Sequence, residues 1–393
     1  VVFGESVAAV SISILADENI PAVEYYFGAD AAVRRIGGRV LQRSDLQGVD
    51  ILLVRSVTQV NEVLLHDTAV KFVGTATSGV DHIDQDYLRQ QGIGFAHAPG
   101  SNANSVVEYV LAAIAAVPDK LEQLLTGGTV GIVGYGVIGS AMAARLGALG
   151  IHYRVYDPWL EDKAISHPAS LARVLGCDVV TLHCELTRAQ PWPSFHLLGA
   201  GELACLQPGG LLINASRGPV VDNRAILALL ETGQGPVTVF DVWEGEPQIQ
   251  HALLDQVILG SAHIAGYSLD GKLLATRMLC DAAALQLGLA LQYQASPAAE
   301  AEALKVPDEL TGAALLRHLL RARYDIRRDD ALLRSATLGR DTVQAAMSFD
   351  LLRKQYRERR ELLGSTVHGN FQSQQDIELV QGLGCVPVAS ETG

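Results

Sequence analysis

The chain has 393 residues, 43 acidic against 30 basic side chains, a formal net charge of −13 and 49% hydrophobic residues. That length predicts about two to three domains, and the apolar fraction excludes a wholly disordered chain. The acidic balance argues against a nucleic-acid coat or an anionic membrane surface as partner, and no apolar run approaches the ~18–20 residues of a membrane span.

Residues 1–12 read as an N-terminal extension that lacks the basic n-region and apolar core of a secretory signal. ISILA (12–16), DILLV (50–54) and VKFVGTA (70–76) are short apolar runs that predict strands. VNEVLLHD (60–67) between them has helical spacing. Such alternation predicts a parallel sheet covered by helices, with functional loops at the carboxyl ends of the strands. Arg55-Ser56 and the Thr75–Gly79 loop occupy two of those ends. A long helix is expected over 105–117. Further strands are expected at 129–133, 152–157, 179–184, 211–216, 237–242 and 257–263, giving one sheet of about six strands. A stretch rich in Ala, Glu and Pro (292–310) reads as a linker. Beyond it the composition shifts: residues 317–360 carry 12 basic and six acidic side chains. Five cysteines (Cys177, Cys184, Cys205, Cys280, Cys385) are widely spaced with no CxxC. Neither a metal site nor a disulfide framework is read from them, and a reducing cytoplasm fits.

Gly134-x-Gly136-x-x-Gly139 follows the strand TVGIV and opens a helix. The first glycine permits the tight turn, the second lets backbone approach a pyrophosphate, and the third allows close helix–strand packing. Val137 and Ile138 open the helix, whose free N–H groups and positive dipole end suit phosphates. Asp157 ends the next strand, where a carboxylate can bind ribose hydroxyls and repel a 2′-phosphate, so NAD is expected over NADP.

Three later segments each follow a predicted strand at the same sheet edge: NASRGPVVDN (214–223), DVWEGEP (241–247) and SAHIAGYSLDGK (261–272). They supply Arg217, Glu246 and His263. Oxidising an alcohol beside a carboxylate needs a base for the hydroxyl proton, a cation for the carboxylate and a carboxylate to orient the base. His263, Arg217 and Glu246 meet those needs in that order.

These motifs, in order and spacing, resemble the D-isomer-specific 2-hydroxyacid dehydrogenase family over residues 13 to about 290. ILADENIP, LLVRSVTQVN, FVGTATSGVDHID, HIAGYSLDGK, YDIRRDDALLR and FDLLRKQYRERRE resemble, more narrowly, the branch acting on a phosphorylated four-carbon acid. The resemblance implies NAD-dependent oxidation of 4-phospho-D-erythronate to (R)-3-hydroxy-2-oxo-4-phosphooxybutanoate, a step of pyridoxal 5′-phosphate biosynthesis. It places Arg217, Glu246 and His263 at the catalytic positions, and Ser56, Thr77 and Tyr267 at substrate positions. Asp157, the turn Ala215-Ser216-Arg217, Asp241 and Gly266 fall at cofactor positions. The family's His-Thr-Pro-Leu stands here as His183-Cys184-Glu185-Leu186, with Cys184 packing against the cofactor as a weaker donor than Thr. Its PGCN turn is PGSN, with Ser101.

The implied architecture is α/β. A flavodoxin-like substrate or lid domain (13–104 with 264–290) would close with a Rossmann-type NAD domain (105–263), and a small C-terminal α+β domain (291–393) would make a homodimer. Arg55 is placed either to approach the substrate phosphate or to form a strand-end ion pair. The Arg-rich C-terminal helices can be a dimer interface, a solvated charged face or a nucleic-acid patch. Interleaved Asp325, Asp329, Asp330 and Glu358 count against the last. Two alternative functions stay open: a dehydrogenase of another 2-hydroxy acid such as 3-phosphoglycerate, or a non-catalytic NAD-sensing co-regulator. Residues 1–280 hold 28 acids and 17 bases, net −11, and residues 281–393 hold 15 and 13, net −2. Recognition of an anionic substrate must therefore be local.

Overall fold

The computed structural model describes residues 12–28, 31–290 and 301–389. The extension before Ile12 and the linker as far as residue 300 lie outside them. The chain divides into two compact units, residues 1–102 with 269–300 and residues 103–268 with 301–393.

The first unit holds five parallel strands: β1 (Ile12–Asp17), β2 (Ala31–Ile36), β3 (Ile51–Val54), β4 (Phe72–Thr75) and β5 (Gly94–His97). Their order is β2-β1-β3-β4-β5, the flavodoxin-like arrangement. β1, β3 and β4 coincide with the apolar runs, and every residue of β3 and β4 is buried. Burial on both faces is what a central parallel strand requires. The two edge strands have no counterpart in the sequence reading. β2 carries Arg34 and Arg35, and β5 is half-buried throughout. A strand with one neighbour can be this polar, and charge there also discourages further pairing. The helix Leu269–Leu287 packs back on β4 and β5, and its Thr276 hydroxyl donates to the Pro21 carbonyl at 2.9 Å.

The second unit is built on six parallel strands: β6 (Thr129–Val133), β7 (His152–Tyr156), β8 (Val179–Leu182), β9 (Leu211–Asn214), β10 (Val237–Phe240) and β11 (Leu259–Gly260). The order is β11-β10-β9-β8-β6-β7. The chain leaves β6 to one side and returns to its other side as β8, so the order reverses at β6. All six carboxyl ends share one edge, and the crevice beside such a reversal is where open α/β sheets bind ligands. The Rossmann-type sheet expected from the strand pattern is present with its six strands.

The helix Ala103–Ala116 buries thirteen of its fourteen residues. A helix apolar on all sides needs cover on all sides, and it packs against both Val137–Ala148 and Gly312–Arg323. The second of these belongs to the C-terminal region. There, helices Gly312–Arg323, Ile326–Thr337, Thr342–Lys354 and Gln374–Gly382 accompany three parallel strands, β12 (Leu304–Lys305), β13 (Thr366–Gly369) and β14 (Val386–Ala389).

Several of the C-terminal arginines are used inside the chain. Arg327 donates to the Ala116 carbonyl at 2.6 Å, and Arg334 donates to the Leu254 and Val257 carbonyls, each at 2.7 Å. These carbonyls stand at helix ends, where they lack helical partners and where a cation complements the dipole. Arg317 grips both Glu122 oxygens at 2.8 Å. Arg359 is 2% exposed, and its guanidinium lies 4.4 Å from the Tyr324 ring centroid. A desolvated cation–π contact of this kind contributes about 2 kcal/mol.

Candidate active site

The glycine-rich turn has the shape that a dinucleotide requires. Gly134 sits at φ +94°, and a Cβ there would lie 2.6 Å from the Cys184 nitrogen. A Cβ on Gly139 would lie 1.9 Å from the Gly134 carbonyl oxygen, whereas one on Gly136 would meet nothing within 4 Å. The outer glycines are thus dictated by packing, and the middle one faces open space into which a phosphate can come. Gly136 is also the N-cap of the helix Val137–Ala148 and brings no side-chain acceptor to its first turn. The Asp157 carboxylate accepts the Tyr135 N–H at 2.8 Å and the Trp159 N–H at 3.0 Å. Those bonds fix it beside the turn, and each oxygen keeps a second lone pair for a ribose hydroxyl. The residues present fit NAD. The Cys184 thiol is pushed up to about 12 by burial, so it stays a neutral packing group.

Gly139→Ala is expected to abolish saturable NAD binding at a cost of about 1–3 kcal/mol in stability, because backbone opposes the new methyl. NADH fluorescence titration beside thermal unfolding checks this; an unaltered dissociation constant would remove the turn from the cofactor site.

The structure brings His263 and Glu246 together. His263 Nδ1 lies 2.7 Å from Glu246 Oε2, and the other Glu246 oxygen accepts the Trp243 N–H at 2.6 Å. A carboxylate accepts only, so Nδ1 carries the proton and Nε2 is the basic nitrogen. The imidazole side chain is 33% exposed and Glu246 17%. Burial raises the Glu246 carboxyl. The charge and hydrogen bond of His263, the Trp243 N–H and the Arg353 charge outweigh it and hold the group below its ordinary value.

His263 itself has φ +56°, a left-handed backbone conformation that a non-glycine residue adopts at a cost. Asp241 maintains it. The Asp241 carbonyl accepts the His263 N–H at 2.7 Å, and its two carboxylate oxygens accept the Ile264 and Ala265 N–H groups at 2.8 and 2.9 Å. Asp241 is 1% exposed and also accepts the Ser261 hydroxyl at 2.6 Å. Read from sequence as a cofactor residue, it stands in the structure beneath the histidine loop.

Arg217 lies on a turn organised by Asn214. The Asn214 amide donates to the Arg217 carbonyl at 3.1 Å, and its oxygen accepts the Ser216 N–H and hydroxyl. Arg217 Nη1 donates to the Ser216 carbonyl at 2.9 Å, which sets the direction of the fork. Gly218 follows because the turn crosses the Trp243 backbone, where a Cβ would come within 2.0 Å of the Trp243 carbonyl carbon. Ala215 and Ser216 are buried, and Gly266 and Tyr267 are half-buried.

In the first unit, Arg55 and Ser56 follow β3 directly, half-buried and exposed respectively. Thr77 follows β4. Its hydroxyl donates to the Gly79 carbonyl at 2.7 Å and pairs with Thr75 at 2.8 Å, so it offers lone pairs rather than a proton. Ser78 ties this loop to Asn102 at 2.6 Å.

Some contributors had no legible signal. His196 Nε2 meets Glu244 at 2.9 Å, while Glu244 and Asn223 exchange bonds at 3.1 and 3.4 Å, bracing the 241–247 turn against the 217–223 segment. Arg353, seen in the sequence only as part of a charged run, donates to the Tyr267 hydroxyl at 3.4 Å.

Comparison with known proteins identifies the family. Residues 112–265 match the model of the D-isomer specific 2-hydroxyacid dehydrogenase NAD binding domain, and residues 296–384 match a domain of unknown function. The chain is 45% identical over 357 residues to the erythronate-4-phosphate dehydrogenase of Cellvibrio japonicus, covering 89% of this chain and 93% of that protein. It is 46% identical over 372 residues to that of Salinibacter ruber, covering 91% and 94%. Among solved structures, a D-lactate dehydrogenase from Aquifex aeolicus complexed with NAD and lactic acid aligns with a TM-score of 0.57 at 23% identity, over 70% of this chain and 96% of that one. A cofactor-bound 3-phosphoglycerate dehydrogenase from Entamoeba histolytica aligns with a TM-score of 0.59 at 18% identity, over 71% and 97%; these two show the fold. The chain is an NAD-dependent oxidoreductase and belongs to the erythronate-4-phosphate dehydrogenase family, within the D-isomer specific 2-hydroxyacid dehydrogenases.

Proposed function

We propose that this chain oxidises 4-phospho-D-erythronate at C2 to (R)-3-hydroxy-2-oxo-4-phosphooxybutanoate, as a step of pyridoxal 5′-phosphate biosynthesis. The observation that carries the reading is the hydrogen-bonded His263–Glu246 pair in a chain so similar to relatives of that name. Glu246 holds the imidazole by Nδ1, so Nε2 takes the C2 hydroxyl proton. Arg217 holds the carboxylate and the C2 oxygen as it becomes a carbonyl. NAD, when bound, supplies the acceptor for the hydride leaving C2. Gly134, Gly136, Gly139 and the helix start at Val137 and Ile138 would hold its pyrophosphate, and Asp157 its ribose. Ala215, Ser216 and Gly266 would line its site, and Asp241 would act indirectly by fixing the histidine loop. Ser56, Thr77 and Tyr267 are the proposed neutral substrate contacts, with Arg55 on the phosphate. The protein works in the cytoplasm as a homodimer through its C-terminal region. Among the described residues, no helix is long and apolar enough to cross a membrane.

The test is a substrate panel followed by NADH fluorescence. Turnover is expected with 4-phosphoerythronate and not with 3-phosphoglycerate. The reverse pattern would make the chain a phosphoglycerate-type enzyme, and NAD binding without turnover of either would favour a co-regulator.

A further inference from the structure

The segment that carries the catalytic histidine is gripped by a segment nearly a hundred residues later in the same chain. Arg353 Nη2 donates to the Tyr267 hydroxyl at 3.4 Å. The Tyr356 ring meets the Tyr267 ring edge-on, with centroids 5.8 Å apart. Arg359 Nη2 donates to the Ala265 carbonyl at 2.8 Å and to the Ser105 carbonyl at 2.9 Å, and also bonds the Ser105 hydroxyl. The Ser268 hydroxyl donates to Glu361 Oε1 at 2.6 Å, while Glu361 Oε2 accepts from Asn104 at 2.8 Å. Residues 265, 267 and 268 are therefore each held by a different side chain, and two of the three holders are anchored again on the helix Ala103–Ala116.

We propose that residues 353–361 are a positioning element of the active site, in which Arg353 directs the Tyr267 hydroxyl while Arg359 and Glu361 fix the loop on which His263 and Tyr267 stand. The matched domain of unknown function then has a catalytic task in its own chain, besides any part in assembly. Three features favour positioning over mere packing. The contacts fall on the loop between the base and the start of the helix Leu269–Leu287, not on the sheet. They are directional bonds from charged groups, which tolerate little displacement. Arg353 also brings its charge to the pair itself: Glu246 is faced by His263 and Arg353, and Arg353 in turn by Tyr267, Glu246 and Asp350. A cation there disfavours a proton on the Glu246 carboxylate that orients His263, so removing it favours the protonated carboxyl.

The experiment uses the full chain with Arg353→Met, Arg353→Lys and Ser268→Ala. Steady-state rates with NAD and 4-phosphoerythronate are followed across pH, and NAD affinity is measured separately. For Arg353→Met, kcat is expected to fall between about 10- and 100-fold, with NAD affinity unchanged and the acid limb of kcat/KM moved to higher pH. Arg353→Lys restores the charge and returns the limb, but recovers only part of kcat because a point charge cannot reproduce the guanidinium's aim. Wild-type kcat and an unmoved limb in Arg353→Met would overturn the proposal. Should that variant fail to fold, Ser268→Ala decides: a lowered kcat at unchanged NAD affinity supports positioning, and a lowered melting temperature with wild-type kcat refutes it. The inference rests on the dehydrogenase reading. A wild-type chain without turnover would defeat that reading, whereas an active wild type with indifferent variants defeats this inference alone.

Discussion

His263→Ala is expected to lower turnover by about 10²–10⁴-fold, the range that a positioned general base supplies, while NAD affinity stays at the wild-type level. The separation follows from where the groups stand. The Asp157 carboxylate beside the glycine turn is engaged by the Tyr135 and Trp159 N–H groups, whereas the imidazole is bonded to Glu246 at 2.7 Å. Alanine can keep the His263 backbone bond to the Asp241 carbonyl, because Asp241 also binds the next two N–H groups. The φ of +56° at this position is no easier for alanine, so the variant should not be more stable than wild type. Rapid-mixing absorbance at the NADH band beside a fluorescence titration reads both quantities. If affinity fell in step with rate, His263 would be a structural residue.

Arg217→Lys should lose about 10²–10³-fold in kcat/KM, comparable to deleting one donor to a developing oxyanion. In the native turn one guanidinium nitrogen is held on the Ser216 carbonyl at 2.9 Å, so the plane of the fork is set before substrate arrives. A lysine ammonium can make that bond or approach a carboxylate, but it has no planar pair of donors to do both. The Asn214 bonds to the turn are unaffected by the change, so the loss should appear without a fall in melting temperature. Near-native activity would take the carboxylate anchor away from Arg217 and require another cation.

Much of this was legible because the signals were local. β6, the turn after it and the helix Val137–Ala148 are read from eleven residues, since each glycine answers a separate steric demand. β3, β4, β8 and β9 are continuous apolar runs because both their faces are covered. Edge strands β2 and β5 escaped for the opposite reason: half-burial imposes no apolar run on GFAH or AAVRRI. Glu246 and His263 could be nominated from sequence because both follow strands of one parallel sheet.

Their 2.7 Å contact, the inverted backbone at His263 and the three bonds that hold it there depend on Asp241 standing beneath the loop. A sequence shows Asp241 only as an acid after a strand. The arginine run shows the limit most clearly. By itself, RKQYRERRE is a charged stretch compatible with an interface or a solvated face. Tertiary structure buries Arg359 against Tyr324 and Ala265 and turns Arg353 toward Tyr267. Sequence alone determined the buried central strands and the glycine turn and nominated the candidate reacting groups, because periodicity and glycine sterics act over a few residues. Tertiary structure alone decided the contacts around those groups, because the side chains that make them stand apart in sequence and meet only on packing: Asp241 under the His263 loop, and Arg353, Arg359 and Glu361 on residues 265–268.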